Sequence, residues 1–169
     1  MNKIIILTVT TSLGSFDVEL YPEQAPITVD NFVKYVDENF FENTLFHRVI
    51  PGFVIQGGGF EIGMSQKNTN PPIKNESDNG LKNDKYTLSM ARTQELDSAT
   101  SQFFINLKDN YFLDKKNAPD GWGYCVFGEV TQGLDIVEAI GSVDTGNKAG
   151  HGDVPIETII IENVEVLDN

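Results

Sequence analysis

The chain of 169 residues is long enough for one domain with a hydrophobic core, and we expect a single domain over residues 1–169. Hydrophobic residues make up 40% and charged residues 22%, which is typical of a globular protein and argues against an intrinsically disordered chain. The formal net charge is −13, and because such a surface repels phosphate backbones, we expect no nucleic-acid partner.

The cysteine content and the N-terminal segment bear on the cellular compartment. Cys125 is the only cysteine, so no intrachain disulfide can form and a disulfide-stapled secreted fold is excluded. The apolar run at residues 4–7 is too short for a signal sequence or a membrane span. If the sequence is complete, we expect a cytoplasmic protein without membrane attachment, with a monomer as the default state.

Strand signals dominate the chain. Residues 4–10 are rich in β-branched side chains, and residues 15–20 alternate apolar and polar side chains. The segment between them is predicted to be a tight hairpin turn around Gly14. Further runs with the composition of strands lie at 45–50, 53–56, 87–91, 102–107, 124–130 and 157–166. Short strands separated by turns that carry glycine and proline predict a barrel or a sandwich.

Two helices interrupt the predicted strands. Residues 25–38 carry Pro26 in the first turn, where its missing N–H costs little, and their apolar residues recur at helical spacing. A second stripe of this kind is followed by a glycine as the expected stop, and it consists of Leu134, Val137 and Ile140. Residues 61–84 and 115–123 are predicted to be long ordered loops, which are often functional in compact domains.

The sequence offers few groups for covalent, metal or cofactor chemistry. Its two histidines, His47 and His151, lie far apart, and no zinc-ligand spacing is present. The glycines at 57–59 lack the context of a nucleotide-binding loop and are interpreted as a turn or a bulge. We therefore expect no metal and no cofactor. His47 is interpreted as a packed, hydrogen-bonded strand residue, and Cys125 as a small core residue.

Arg48 lies in the stretch LFHRVIPGFVIQ, which is otherwise apolar and strand-like. A guanidinium in this setting is equally consistent with a surface arginine lying along the barrel and with a functional arginine. Gln56, at the end of the same stretch, is of a type that commonly faces solvent in strands. Strict alternation does not place Arg48, Phe53 and Gln56 on one face, so a common site requires the turn at 51–52 to change the parity.

A second cluster of amide and aromatic side chains lies in SATSQFFINL. In a strand, Gln102, Phe103 and Phe104 point alternately to opposite faces. One interpretation places one phenylalanine in the core and the other on the outer face. The alternative, with both phenylalanines in the core, is equally consistent with the periodicity.

Four parts of the sequence together resemble the cyclophilins: FHRVIPGFVIQGGGF at 46–60, TLSMAR at 87–92, SATSQFFIN at 98–106, and FLD with YCVFGEV at 112–114 and 124–130. The similarity is collinear over nearly the whole chain, and PIKNESDNGLKN with the extended loop at GWGYCVF is similar to the bacterial cytosolic branch. The resemblance implies an all-β-dominated fold, an eight-stranded antiparallel barrel capped by two α-helices. It also implies a peptidyl-prolyl cis-trans isomerase, which acts on proline-containing peptides and unfolded proteins and assists folding without covalent chemistry.

The resemblance also implies roles for individual residues. It places Arg48 at the position of the catalytic arginine, in a groove on the outer face of the barrel. Gln56 and Phe53 complete the catalytic group, and Gln56 holds the substrate backbone together with Gln102. The other substrate-binding positions line the proline pocket or its border, and they are Phe104, Leu113, Val54, Ala91, Arg92, Phe112 and Tyr124.

Four of these positions depart from the best-known eukaryotic pattern. Val54 replaces a methionine, Arg92 an asparagine, Phe112 a tryptophan and Tyr124 a histidine. Because Phe112 lacks the indole N–H donor, the resemblance implies at most weak cyclosporin binding. The arginine, both glutamines and both pocket phenylalanines are retained, so we expect catalysis to be retained with them.

Two other functions stay open on the sequence alone. The first is a binding module that holds proline-containing segments without useful turnover, which peptide affinity without accelerated exchange would indicate. The second is a barrel that carries a small apolar ligand inside it, although two capping helices and bulky inward side chains favour a filled barrel.

Overall fold

The structure, a computed structural model, describes residues 4–167 and consists mainly of antiparallel strands. The strands are β1 Ile5–Thr11, β2 Gly14–Leu20, β3 Thr44–Leu45, β4 Arg48–Ile50, β5 Val54–Gly57, β6 Thr87–Met90, β7 Phe103–Asn106, β8 Val126–Gln132, β9 Thr145–Lys148, β10 His151–Pro155 and β11 Ile160–Val166. The helices are α1 Pro26–Asp37 and α2 Leu134–Ile140, with short 3-10 turns at Ser77–Asn79 and Tyr111–Leu113. Within residues 4–167, no helix is both long enough and apolar enough to cross a membrane.

Nine strands form one curled sheet in the order β3-β11-β1-β2-β8-β6-β7-β5-β4. β3 and β4 are neighbours in the chain but lie at opposite ends of this order, so the sheet curls back on itself. Leu45 pairs with Ile160 of β11 on one side. On the other side its N–H donates to the Phe60 carbonyl at 2.9 Å, and its carbonyl accepts from the Gly58 N–H at 3.3 Å. These bonds close the predicted antiparallel barrel.

The main sheet has nine strands where the resemblance implied eight, because the predicted strand at 45–50 is divided into β3 and β4. The separate hairpin of β9 and β10 raises the total within residues 4–167 to eleven. The chain changes partner at this point: β3 pairs with β11, whereas β4 pairs with β5. The glycines at 57–59 lie at the same closure. Gly58 has a φ of 88°, and a Cβ on Gly57 would lie 2.6 Å from the Leu45 carbonyl oxygen, so the close approach of the two segments requires glycine.

Side chains fill the barrel interior. The ring of Phe32, from α1, lies 4.9 Å from that of Phe41, 5.3 Å from that of Phe103 and 5.2 Å from that of Phe127. These rings and the inward aliphatic side chains of the strands form one buried core. A filled interior leaves no place for the internal apolar ligand that the second alternative function required.

The predicted long loop at 61–84 stabilises the start of α1. Pro26 lies at the first helical position, as predicted. The Glu76 carboxylate accepts hydrogen bonds from the backbone N–H and the hydroxyl of Thr28, both at 2.7 Å. A carboxylate at this end also complements the positive end of the helix dipole. The loop is therefore anchored to the barrel through a helix cap that lies 48 residues away in sequence.

The hairpin of β9 and β10 was not predicted. Its residues TGNK and HGDVP contain glycine and polar residues instead of the β-branched alternation that indicates strands. Two of its residues that are not glycine, Ala149 and Asp153, have positive φ values of 49° and 60°. The hairpin packs against β4, so contacts with the barrel stabilise a segment whose own sequence favours a loop.

His47 lies between β3 and β4, so its prediction as a hydrogen-bonded strand residue is wrong, although it is packed as expected. Its ring contacts Phe60 at a centroid distance of 4.4 Å, and the His151 ring lies on Phe60 at 5.2 Å. The buried Nδ1 has no hydrogen-bond partner among residues 4–167. Burial, followed by the nearby charges of His151 and Arg48, lowers the pKa of His47 to about 4.

We expect the free energy of unfolding to decrease by about 2–3 kcal/mol as the pH falls from the ordinary histidine pKa of 6.5 to about 4. Between these two pH values the unfolded chain binds a proton at residue 47 and the folded chain does not. The contribution of neutral, buried His47 to the free energy of unfolding is therefore fully present above pH 6.5 and is lost progressively as the pH falls towards 4. Urea denaturation of the wild type and of His47→Gln across this range measures it. The variant should lose less stability than the wild type; parallel losses would contradict the prediction.

Candidate active site

The hairpin of β4 and β5 brings Arg48 and Gln56 together. The two residues are direct partners in the antiparallel register. The turn between the strands is closed by a hydrogen bond from the Phe53 N–H to the Ile50 carbonyl at 3.0 Å, and Gly52 has a φ of 70°. Residues opposite each other in a hairpin share one face, and Phe53 lies in the turn before β5, so strand alternation does not fix the direction of its side chain.

A chain of hydrogen bonds orients these side chains. The Arg48 Nη1 donates to the Gln56 Oε1 at 3.2 Å, and the Gln56 Nε2 donates to the Gln102 Oε1 at 3.0 Å. Gly59 makes room for the second amide, because a Cβ there would lie 2.5 Å from the Cγ of Gln102. The arginine and both amides, which sequence analysis selected separately, therefore form one connected row.

The row faces a groove of about 360 Å³, a typical size for a small binding site. The groove is lined by Arg48, Phe53, Val54, Gln56, Ala91, Arg92, Phe104, Phe112, Leu113 and Tyr124. Ten of the eleven predicted site residues thus lie around one groove, and the remaining one, Gln102, is bonded to it through Gln56. The substrate and catalytic roles of these residues remain predictions.

The two phenylalanines of β7 separate between core and groove. Phe103 packs in the core against Phe32 and Phe41, whereas Phe104 lies in the groove, where its ring meets Tyr124 edge-on at 5.5 Å. Both side chains are buried from solvent. The interpretation with one ring on each face of the strand is therefore the one that the structure shows.

The 3-10 turn at Tyr111–Leu113 forms the opposite wall. Phe112 stacks on Phe53 at a centroid distance of 5.8 Å and leaves 53% of its surface exposed. Asn110, immediately before the turn, is fully buried and donates to the Phe53 carbonyl at 3.0 Å. This bond connects the turn that carries Leu113 with the hairpin that carries Arg48, so the two walls have a common internal support.

Arg92 borders the groove, but the structure gives its guanidinium other partners. The side chain is only 5% exposed, and its Nε donates to the Gly123 carbonyl at 2.8 Å. One Nη group donates to the carbonyls of residues 93 and 95, and the other bonds the Asp120 carboxylate. The guanidinium also lies over the Tyr124 ring at 5.1 Å. Arg92 therefore fastens the loop that follows β6 to the loop at 114–124.

Sequence analysis missed Asp120, the partner of Arg92. Its carboxylate accepts from the backbone N–H groups of Gly123 at 2.9 Å and Trp122 at 3.0 Å. The Gly123 N–H, then Arg92 and then the Trp122 N–H hold the pKa of Asp120 well below its usual range, so the carboxylate is ionised. An aspartate just before a glycine indicates a turn, but nothing local connects it to an arginine 28 residues earlier.

The structure offers no activated nucleophile at Cys125. The residue is buried, and burial raises the pKa of its thiol to about 11, so it is an unreactive core residue, as expected. In the part of the chain that the structure describes, no three His, Cys, Asp or Glu side chains are grouped as metal ligands would be.

Comparison with known proteins assigns the family. Residues 6–166 match the family described as "Cyclophilin type peptidyl-prolyl cis-trans isomerase/CLD". The chain is 54% identical over 164 residues to the peptidyl-prolyl cis-trans isomerase B of Escherichia coli, covering 96% of this chain and 100% of that protein. It is also 54% identical over 158 residues to the peptidyl-prolyl cis-trans isomerase cyp18 of Streptomyces antibioticus, covering 93% of this chain and 95% of that protein.

Solved structures agree with this assignment. A cyclophilin-type peptidyl-prolyl cis-trans isomerase of Cryptosporidium parvum superposes with a TM-score of 0.81 at 25% identity, over 99% of both chains. The same enzyme, crystallised in the presence of the dipeptide Ala-Pro, gives a TM-score of 0.80 at 26% identity, over 97% of this chain and 99% of that one.

The barrel, the groove on its outer face and these matches define one class, and the chain belongs to the cyclophilin family. It is a peptidyl-prolyl cis-trans isomerase, as the resemblance implied. The alternative of a binding module without turnover finds no support in these matches.

Proposed function

We propose that the chain accelerates rotation about Xaa-Pro bonds by non-covalent stabilisation of the twisted amide in the groove, and that it assists protein folding in this way. The observation that carries the proposal is the position of Arg48. Its guanidinium is held by the Gln56 amide and lines the same groove as the Phe104 ring. A cation beside an aromatic slot suits a proline ring and its amide nitrogen.

The chemistry follows from the electronic structure of the peptide bond. The barrier to rotation about the peptide C–N bond is about 18–20 kcal/mol, because resonance gives this bond partial double-bond character and keeps the group planar. At the twisted transition state the resonance is lost, and the prolyl nitrogen regains a lone pair that can accept a hydrogen bond. The positively charged donor groups of the Arg48 guanidinium stabilise this state more than the planar ground state. No nucleophile and no proton transfer is required.

The size of the effect requires more than one residue. Uncatalysed exchange takes tens to hundreds of seconds. Acceleration to milliseconds corresponds to about five decades, or about 7 kcal/mol of barrier. One charge-assisted hydrogen bond contributes about 2–3 kcal/mol. The remainder has to come from removal of water and from orientation, for which the Phe104 and Leu113 side chains and the Gln56–Gln102 amide row are placed around the groove.

The substrates that fit this groove are proline-containing peptides and unfolded proteins. The Cryptosporidium parvum relative was crystallised in the presence of Ala-Pro, which supports a proline-sized subsite here. Phe53, Val54 and Leu113 line the groove with apolar surface for the ring, and Gln56 and Gln102 can bond the substrate backbone. Weak cyclosporin binding stays a prediction, since Phe112 offers no N–H donor.

Catalytic amounts of the chain are expected to accelerate the proline-limited phase in the refolding of a test protein. The reason is that Xaa-Pro isomerisation limits that phase, whereas phases without it involve no bond on which the groove acts. Stopped-flow fluorescence with increasing enzyme concentration measures both phases. The slow rate should rise in proportion to enzyme while the fast rates stay constant. An unchanged slow phase, together with accelerated exchange in a short peptide, would refute assistance of folding while leaving the peptide chemistry in place.

A further inference from the structure

A second pocket of about 660 Å³ adjoins the proline groove. The two cavities share four lining residues: Arg92, Phe112, Leu113 and Tyr124. Beyond these, the second pocket is lined by Thr93, Gln94, Ala118, Pro119, Asp120 and Gly123. We call it the side pocket. Because it shares a wall with the groove, a peptide that places its proline ring in the groove has its neighbouring side chain within reach of the side pocket, at about 3.3 Å per residue along an extended chain.

The two loops that form the side pocket are fastened to each other. Arg92 bonds Asp120 and the Gly123 carbonyl on one loop, and the carbonyls of Thr93 and Glu95 on the other. The Asp120 carboxylate additionally accepts from two backbone N–H groups of its own loop. A pocket with such an internal clamp is formed before the ligand arrives, so binding loses little conformational entropy.

The same clamp determines the chemistry of the side pocket. The guanidinium and the carboxylate at its border neutralise each other, and their hydrogen bonds are directed at each other and at the backbone. What remains for a ligand is mainly apolar surface, from Phe112, Leu113, Ala118, Pro119 and Tyr124, together with the uncharged side chains of Thr93 and Gln94. Phe112 alone leaves 53% of its surface exposed. An apolar side chain gains most by covering such surface, whereas a charged one loses hydration without gaining a partner of opposite charge, because Arg92 and Asp120 bond each other.

We propose that the side pocket is a specificity subsite that takes a bulky apolar side chain of the residue next to proline, such as leucine or phenylalanine. The proposal rests on the proposed function, since it assigns a substrate preference to the same groove. Arg92 and Asp120 then act as positioning residues for this subsite, because their polar groups bind the two loops and not the substrate.

Peptide series with alanine, leucine, phenylalanine, glutamate or lysine on either side of proline test the preference. On one side of proline, we expect kcat/KM to be about tenfold higher for leucine or phenylalanine than for alanine, glutamate or lysine. Two variants fill the side pocket from opposite loops: Ala118→Phe and Gln94→Trp. Each should reduce the leucine-to-alanine ratio to about one, mainly through KM. Ala139→Phe, at an exposed position of α2, is the matched control and should keep the wild-type ratio.

Two outcomes would overturn the proposal. The first is an equal kcat/KM for all side chains on both sides of proline in the wild type. The second is a leucine-to-alanine ratio that survives in both filling variants, with their thermal unfolding showing that they are folded. Exchange of an Ala-Pro peptide, measured in the same experiments, separates this proposal from the proposed function. If the wild type accelerates this exchange but has a leucine-to-alanine ratio of kcat/KM of about one, the isomerase function stands and the side pocket is not a subsite.

Discussion

Replacement of Arg48 by alanine is expected to lower kcat/KM for an Xaa-Pro peptide by about 100-fold, as the loss of one charge-assisted hydrogen bond in the transition state implies. Arg48→Lys is expected to fail as well, because a point charge on a flexible stem cannot replace the planar fork that Gln56 orients. Exchange spectroscopy of a short Xaa-Pro peptide measures the rates. Arg48 is half-buried at the groove and outside the core cluster, so both variants should retain the fold.

The control for Arg48 is Lys108→Ala, which removes one positive charge at an exposed position that does not line the groove. It should exchange the peptide at the wild-type rate and thereby separate local chemistry from the change in net charge. A peptide titration should show that Arg48→Ala still binds substrate, since the aromatic wall is intact. A near-normal rate in either Arg48 variant would remove this residue from the mechanism.

Asn106→Leu is expected to lower the free energy of unfolding by about 4 kcal/mol. Asn106 is fully buried, and its Nδ2 donates to the Asn83 Oδ1 at 3.1 Å and to the Thr87 hydroxyl at 3.0 Å. Its Oδ1 accepts from the Asn110 Nδ2 at 2.9 Å. A leucine removes all three bonds and leaves the partners with fewer bonds in a buried environment. Urea denaturation measures the loss.

The matched control is Asn147→Leu, the same substitution at an exposed position of β9, for which we expect a change of less than about 0.5 kcal/mol. The same network holds the groove, because Asn110 also donates to the Phe53 carbonyl. Asn106→Leu should therefore reduce isomerase activity as well, even at temperatures where it is folded. Equal stability of Asn106→Leu and Asn147→Leu would show that the buried network contributes nothing.

Much of the fold could be predicted because its signals are local. The β1–β2 hairpin follows from alternation around Gly14, and α1 follows from Pro26 and a helical apolar stripe. Arg48 and Gln56 are eight residues apart, so a single hairpin turn is enough to pair them. Contacts of this range depend on backbone geometry within one or two elements, and side-chain periodicity records that geometry directly.

The sequence by itself therefore determined eight strand segments and the two helices, and its resemblance to the cyclophilins indicated the residues that line the groove. Only the tertiary structure decided how these parts meet. Pairing of β5 with β7 brought Gln102 next to Gln56, 46 residues away, and packing against β4 formed the β9–β10 hairpin. The tertiary structure also joined Arg92 to Asp120, which lie on two different loops. The physical reason is that periodicity reports which face a side chain occupies, whereas contacts between distant segments depend on how the whole sheet curls.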